Sequence, residues 1–463
     1  MANMIGSTEL RFKEGKLLLT SEGESIKNNL NTLSGNINLV KSGDHFITDA
    51  LHYRRIYRYL YKNTTNFKDK AKNYQELSLT GKEYKLYDYQ QKSLDCWHKS
   101  KWGIIVLPTG AGKTVVATKA ISYLKRSTLV LVPTIVLLKQ WQGYLEKIFA
   151  TKIGSLGGGN KDLADITVST YDSAAIYAKE IGDRFCFLIF DEVHNAASWG
   201  NYRMGQKFIA PYRLGLTATM PEEQDRLDNL TKIVGPILFT LDVDSLTGSY
   251  LAGYDIQIIE VDLSITEQVD YDKHRNIYQN YRKKTGFASS WRTFAIRAYQ
   301  SKEGKLAMES FNIQKKIALN AEEKFTKLSE ILDYHKKGKV LIFTNDNDSA
   351  NMISEKFSID IITHKTKAKE RKEILSSFRE GKNSKIVSSR VLNEGIDVPD
   401  VAVAVIFSGT STTREHRQRL GRILRKVENK KATLYELITR NTAEVFTSQK
   451  RNNNLGFNSS KII

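Results

Sequence analysis

The octapeptide LPTGAGKT at 107–114 constrains the fold of this chain more than any other stretch. An apolar run, GIIVL at 103–107, leads into it and reads as a buried parallel strand, and VVATKAI at 115–121 leaves it as a helix. Strand, glycine-rich turn, Gly-Lys-Thr and helix together are the setting in which backbone N–H groups and a helix N-terminus cradle phosphate. Thr109, Gly110, Ala111 and Gly112 would form the cradle, Lys113 would reach the β- and γ-phosphates, and the Thr114 hydroxyl would ligate Mg²⁺. Leu107 stands where the usual pattern has its first glycine, so an ordinary strand–turn–helix is the alternative from these residues alone.

At 463 residues the chain is too long for one ordinary core and divides into two or three domains. Its net charge of +19 favours a polyanionic partner, because neutralised phosphates release condensed counterions. No apolar run approaches the ~18–20 residues that span a bilayer, and the N-terminus lacks the charged and apolar regions of a secretory signal. Two cysteines, Cys96 and Cys186, are too few for a disulfide framework or a Cys-rich zinc site. A cytoplasmic protein, in a host's cytoplasm if viral, is the expectation.

Apolar strand-like runs alternate with helical patterns twice. The first set has strands at 104–107, 128–132, 166–170, 187–190 and 213–216, with a helix at 135–149. The second has strands at 339–344, 385–388 and 402–407, with helices at 350–357 and 368–379. Such alternation predicts parallel sheets covered on both faces. The boundaries read as an accessory region at 1–80, one α/β domain at 81–242, a linker with a helical insert at 243–322, a second α/β domain at 323–445 and a loose tail at 446–463. Within the accessory region, 9–19 reads as a strand, 49–61 as a helix and 63–72 as a polar linker.

Three further stretches carry chemistry. FLIF at 187–190 delivers Asp191 and Glu192 to a strand's C-terminal end, where ligands bind in open α/β sheets. Asp191 would hold Mg²⁺, Glu192 would orient and deprotonate water, and His194 would relay state between domains. YRLGLTAT at 212–219 ends in Thr217 and Thr219, which by themselves suit a plain strand end. Arg419, Arg422 and Arg425 recur every three residues, so a helix gathers them near one face; alone, this is a solvated basic helix or a phosphate clamp.

In this order and spacing the stretches resemble superfamily 2 helicases and translocases from about 84 to 440. The loop at 107–114 is similar to their motif I. VPT at 132–134 and VSTY at 168–171 resemble the nucleic-acid motifs that follow it. DEVH at 191–194 and TAT at 217–219 resemble motifs II and III, and VLIFT at 340–344 resembles motif IV. SRVLNEGID at 389–397 and QRLGRILR at 418–425 resemble motifs V and VI. The resemblance implies two tandem RecA-like domains with ATP and Mg²⁺ in the cleft between them. Arg422 and Arg425 would be arginine fingers, Gln418 would lie near the attacking water, and Gly395 and Asp397 would meet the nucleotide. Gln90 would read adenine, although Tyr87 stands where relatives often have arginine. Thr134, Thr170, Thr344, Ser389 and Arg390 would touch the nucleic-acid backbone, and His194, Thr217 and Thr219 would couple the two events.

DEVH is not the DEAD signature of the large RNA helicase group. VLNEGIDVP at 391–399 and the arginine-rich motif look most like the XPB-related group, which includes bacteriophage UvsW-type branch-migration helicases. That resemblance implies a DNA-stimulated ATPase remodelling forked or branched DNA, alongside replication or recombination proteins. An RNA helicase and the motor subunit of a restriction-type complex remain open. Two regions bear on substrate choice. HYRRIYRYLYK at 52–62 aligns Tyr53, Tyr57 and Tyr61 on one helix face, either to stack bases or to pack on the motor. Arg282, Lys283, Lys284, Phe287, Trp291, Arg292 and Arg297 mark the helical insert as a strand separator or a connector.

Overall fold

Strands that are apolar along their whole length need cover on both faces, and two sheets of this kind dominate the computed structural model of the chain. It describes residues 8–21, 37–43, 45–63, 67–79, 85–241, 254–285, 291–389, 401–409, 432–453 and 461–462. These fall into two units, Met1–Asp242 and Val243–Ile463.

The first unit opens with β1 (Thr8–Lys13) and β2 (Lys16–Ser21). The single strand expected over 9–19 is instead a hairpin. Glu14 and Gly15 both take positive φ, +48° and +81°, which is the backbone a two-residue turn demands. β3 (Val40–Ser42), β4 (His45–Asp49), α1 (Tyr53–Asn63) and β5 (Phe67–Lys70) complete a five-stranded sheet ordered β3-β4-β2-β1-β5. β5 falls inside the stretch read as a polar linker. FKDK escapes an apolar pattern because β5 is an edge strand with only alternate residues half-buried. Tyr53, Ile56 and Leu60 pack with Leu10, Leu17 and Leu19, and Ile209 of the adjoining α/β layer closes that core. Of the three aligned tyrosines, Tyr53 is buried and donates to Asp69 at 2.7 Å, whereas Tyr61 is exposed.

The larger layer contains α2 (Asp88–Ser100), β6 (Trp102–Val106), α3 (Lys113–Leu124), β7 (Thr128–Val132) and α4 (Ile135–Phe149). Then come β8 (Gly154–Gly157), β9 (Asn160–Asp162), β10 (Ile166–Thr170), α5 (Tyr171–Ile181) and β11 (Phe187–Asp191). α6 (Trp199–Gly205), β12 (Tyr212–Thr217), α7 (Gln224–Ile233) and β13 (Ile237–Thr240) finish it. The sheet order is β13-β6-β12-β11-β7-β10-β8-β9, parallel throughout except for the β8–β9 hairpin. The step from β6 to β7 jumps over β12 and β11. The loop after β6 therefore opens beside the carboxyl ends of β11 and β12, at a topological switch point.

The second unit has a seven-stranded, wholly parallel sheet, β16-β17-β15-β18-β19-β14-β20. Its first strand, β14 (Tyr254–Val261), lies within the span read as a linker. α8 (Ile265–Thr285), α9 (Trp291–Ala298), α10 (Lys302–Leu319) and α11 (Glu322–Tyr334) follow, so the described residues after β14 carry helices, as expected of the insert. Tyr278, Phe294, Ala298 and Met308 join the first three of these helices. β15 (Val340–Phe343), α12 (Asn347–Phe357), β16 (Asp360–Ile362), α13 (Ala368–Glu380) and β17 (Lys385–Ser388) continue the layer. β18 (Val403–Ile406), β19 (Ala432–Thr439), α14 (Ala443–Asn453) and β20 (Lys461–Ile462) end it. The tail expected to be loose contributes β20, which pairs with β14, and most of α14; Glu444, just ahead of the tail, meets fully buried Lys324 at 2.6 Å. Arg390, Gly395, Asp397, Gln418, Arg422 and Arg425 lie outside the described residues.

Candidate nucleotide-binding site

β6 hands the chain to the phosphate loop under tight control. Leu107 is fully buried, and its N–H donates to the Thr217 carbonyl at 2.9 Å, pinning the loop's start to β12. The Ala111 N–H closes a turn onto Pro108 O at 3.2 Å. Gly110 and Gly112 then take φ of +86° and +77°, a region that disfavours residues with a Cβ. Gly112 caps α3, accepting from Val115 N and Val116 N at 2.9 and 3.2 Å. Lys113 Nζ folds back onto Leu107 O at 3.4 Å. The Thr109 hydroxyl is buried in the loop without a partner.

That orphaned hydroxyl and the left-handed glycines suit a bound phosphate chain. Among the described residues no cluster of three His, Cys, Asp or Glu side chains is placed to hold a metal. Mg²⁺ needs no such cage, since it commonly takes one or two protein oxygens together with substrate phosphates. Thr114 and Asp191 supply hard oxygens of that kind.

Gln90, expected to read adenine, has its amide engaged within the chain. Its Oε1 accepts from Tyr87 N at 3.0 Å, closing a capping box on α2, and its Nε2 donates to Ala111 O at 2.9 Å. With 4% of its surface exposed, the amide braces the phosphate loop rather than facing outward. Tyr89 OH donates to the same carbonyl at 3.0 Å. Tyr87 is exposed and stacks on Tyr89, with ring centroids 5.8 Å apart.

Asp191 ends β11, beside Leu216 of β12. Its Oδ2 accepts from Trp141 Nε1 at 2.7 Å, its Oδ1 from Glu192 N at 3.1 Å, and its carbonyl from Tyr171 OH at 2.9 Å. Burial and the neighbouring Glu192 charge raise its pKa, while the Trp141 bond and Lys113 oppose them. A divalent cation beside it would stabilise the ionised form. Glu192 takes φ +48°, a strained backbone for a non-glycine residue.

The proton positions around Glu192 follow from counting donors. The Thr217 hydroxyl donates to Thr219 O at 2.8 Å and lies 3.5 Å from Glu192 Oε2. It accepts from Thr219 N at 3.2 Å and faces His194 Nδ1 at 3.1 Å. Having one proton, it needs Nδ1 as a donor. Nε2 then accepts from the Asn195 amide at 3.2 Å, which assigns the Nδ1–H tautomer. His194, Thr217 and Thr219 thus form one network beside the motif II carboxylate.

Thr134 and Thr170 are N-caps. Their hydroxyls accept from Leu137 N and Ser173 N, each at 3.2 Å, and start α4 and α5 at the carboxyl ends of adjacent strands. The Thr344 hydroxyl is turned inward. It is fully buried and donates to Asp346 O at 2.8 Å, so it is not presented to a strand as expected. Ser389 is 4% exposed. Trp141, Tyr171 and Asn195 were not anticipated. A tryptophan on the buried stripe Leu138–Trp141–Leu145–Phe149 was the available signal, because a buried indole N–H needs an acceptor.

Residues 83–222 match the family model described as type III restriction enzyme, res subunit, and residues 323–427 match the helicase conserved C-terminal domain. The chain is 41% identical over 407 residues to the DNA 3'-5' translocase XPB2 of Sulfurisphaera tokodaii, covering 87% of this chain and 92% of the relative. It is 28% identical to the DNA 3'-5' helicase XPB of Mycobacterium tuberculosis over 80% of this chain but 63% of that protein. It is also 28% identical to the general transcription and DNA repair factor IIH helicase/translocase subunit XPB of Schizosaccharomyces pombe, spanning 44% of its length. The Pyrococcus furiosus Hef helicase domain, at TM-score 0.52 and 19% identity, covers 78% of this chain and 97% of that one. Saccharomyces cerevisiae Dbp5 bound to RNA and ADP BeF3, at TM-score 0.57 and 15% identity, covers 82% and 90%. These two likenesses concern the fold, which has two RecA-like parallel-sheet domains.

Proposed function

We propose an activity that proceeds from one premise: the chain belongs to the XPB family of superfamily 2 helicases and translocases. It is an ATP-driven DNA motor. The observation that carries this reading is the phosphate loop opening beside Asp191 and Glu192 at the same sheet edge as the N-termini capped by Thr134 and Thr170. Loop amides and Lys113 bind the triphosphate. Thr114 and Asp191 would hold Mg²⁺, which would supply charge neutralisation for the triphosphate. Glu192 orients water and takes its proton, beside the network of His194, Thr217 and Thr219. The motif V and VI patterns assign Arg422 and Arg425 as arginine fingers, worth roughly 10³–10⁵ in rate where such fingers act, and would bring Gln418, Gly395 and Asp397 to the nucleotide.

First-turn N–H groups of α4 and α5 would meet backbone phosphates, as helix N-termini do, and the motif V pattern assigns Ser389 and Arg390 to the nucleic-acid backbone as well. Net charge adds affinity without sequence preference. The names of the XPB relatives support 3'-to-5' tracking on DNA rather than RNA and a role in repair. The finer reading, remodelling of forked or branched DNA in the UvsW manner with replication or recombination partners, rests on sequence character alone, as does a cytoplasmic location.

The test is ATPase stimulation by single-stranded, duplex, forked and four-way DNA and by matched RNA, with a streptavidin-displacement assay of polarity. DNA stimulation with 3'-to-5' displacement is expected. Stronger stimulation by RNA would overturn the DNA reading, and equal rates on linear and branched DNA would remove the branched-substrate role.

A further inference from the structure

Asp191 is gripped by both helices whose N-termini are assigned to the nucleic acid. Trp141 lies seven residues, about 10 Å, along α4 from its cap Thr134. Tyr171 is the first residue of α5, directly after its cap Thr170. The indole N–H of Trp141 binds the Asp191 side chain at 2.7 Å, and the Tyr171 hydroxyl binds the Asp191 carbonyl at 2.9 Å. Both rings are 3% exposed and Asp191 is 6% exposed, so water does not substitute for either bond.

We propose that Trp141 and Tyr171 are positioning residues that hold the metal-binding carboxylate of Asp191 and make its orientation depend on the two track-side helices. The proposal rests on Asp191 holding Mg²⁺ and on α4 and α5 meeting the strand.

The carboxylate torsion of aspartate is soft and roughly two-fold, so it needs outside restraint. Trp141 takes one lone pair on Oδ2 and the Glu192 N–H takes one on Oδ1. With both oxygens tethered, the plane of the carboxylate is set, and one lone pair on each remains for the cation or its water. A short N–H···O⁻ bond in a buried setting is among the stronger neutral-donor contacts. Tyr171 acts differently. It satisfies the carbonyl where β11 ends, and so holds the backbone from which the carboxylate projects. A shift of either helix on engaging DNA therefore reaches Asp191 through one hydrogen bond.

The experiment measures ADP affinity with and without Mg²⁺, alongside melting temperature, DNA affinity and DNA-stimulated turnover. Trp141→Phe keeps a ring and removes the N–H. The Mg²⁺-dependent gain in ADP affinity should fall roughly 10-fold, as for other partners that orient a metal ligand. ADP affinity in EDTA and DNA affinity should stay within about two-fold. Tyr171→Phe removes one oxygen. It should lower the ratio of DNA-stimulated to basal turnover at unchanged DNA affinity. Loss of packing alone would lower the melting temperature without this Mg²⁺ signature. Lys113→Ala is the control. If it binds ADP as wild type does, the nucleotide-site reading fails. If it loses ADP while Trp141→Phe keeps the wild-type Mg²⁺ gain, only the positioning role is overturned. Should Trp141→Phe not fold, a wild-type stimulation ratio in Tyr171→Phe overturns the proposal.

Discussion

Gln90 Nε2 donates to Ala111 O at 2.9 Å and lies over Gly112, where it must shift if a side chain is added there. An added Cβ at Gly112 would overlap that nitrogen, and it would also force a non-glycine residue to φ +77°. The two costs are separable. Gly112→Ala should weaken ATP binding at least 10-fold. Gln90→Ala should weaken it several-fold by freeing the loop. If the clash dominates, adding Gln90→Ala to Gly112→Ala recovers part of the loss; if the backbone conformation dominates, nothing returns. Equilibrium binding of a fluorescent ATP analogue decides between them, and wild-type affinity in Gly112→Ala would refute the loop's role.

Lys113 and Glu192 should fail in different ways. Lys113→Ala removes the cation facing the β- and γ-phosphates, so hydrolysis is lost while DNA binding persists. Glu192→Gln keeps the shape and loses the base, so ATP still binds and single-turnover cleavage drops by roughly 10²–10⁴. A wild-type cleavage rate in Glu192→Gln would assign the base elsewhere.

The motor's layers were legible because their strands are continuous apolar runs. The fully buried strands Thr128–Val132 and Ile166–Thr170 fall where the pattern placed them, as does the helix Ile135–Phe149 between β7 and β8. Asp191 and Glu192 were readable for the same reason, since an apolar strand must end somewhere polar. What escaped was pairing decided by tertiary context. FKDK at 67–70 has no strand signature, yet it finds a free edge on β1. Lys461–Ile462 likewise pairs with β14 some two hundred residues earlier. Gln90 illustrates the limit at the site: its residue type suits reading a base, but a cap and a carbonyl claim its amide.

Acid should destabilise the fold through His98. Its ring stacks on Tyr123 with centroids 3.9 Å apart, and its Nε2 is buried without a partner. Burial lowers its pKa below the usual 6.5, as it does for His52 and His335. A depressed histidine pKa means that the unfolded chain binds more protons, so stability is full above about pH 6.5 and falls as the pH drops through that value. Melting temperatures between pH 7.5 and pH 5 should therefore decline. His98→Gln should flatten the slope, and an unchanged slope would show that His98 does not contribute to it.

Arg213 should be the least replaceable side chain of the first unit. It is fully buried, and its guanidinium donates to the carbonyls of Phe208 and Ile233 at 2.7 Å, Gly205 at 2.9 Å and Ala210 at 3.3 Å. Its Cζ lies 4.9 Å from the centroid of the Trp102 ring, and its own carbonyl accepts from Trp97 Nε1 at 2.9 Å. Burial works against the charge, so the surrounding carbonyls are what hold it in place. They also tie α6 and α7 to the strand that carries Thr217. Arg213→Ala leaves those oxygens unpaired around a cavity, and should cost on the order of 3–5 kcal/mol. Lysine keeps the charge but lacks the planar fork, so Arg213→Lys should recover less than half of that. Urea unfolding of the three proteins measures both. A loss below about 1 kcal/mol in Arg213→Ala would mean that water or rearrangement satisfies the carbonyls, and the guanidinium would then not be what joins these elements.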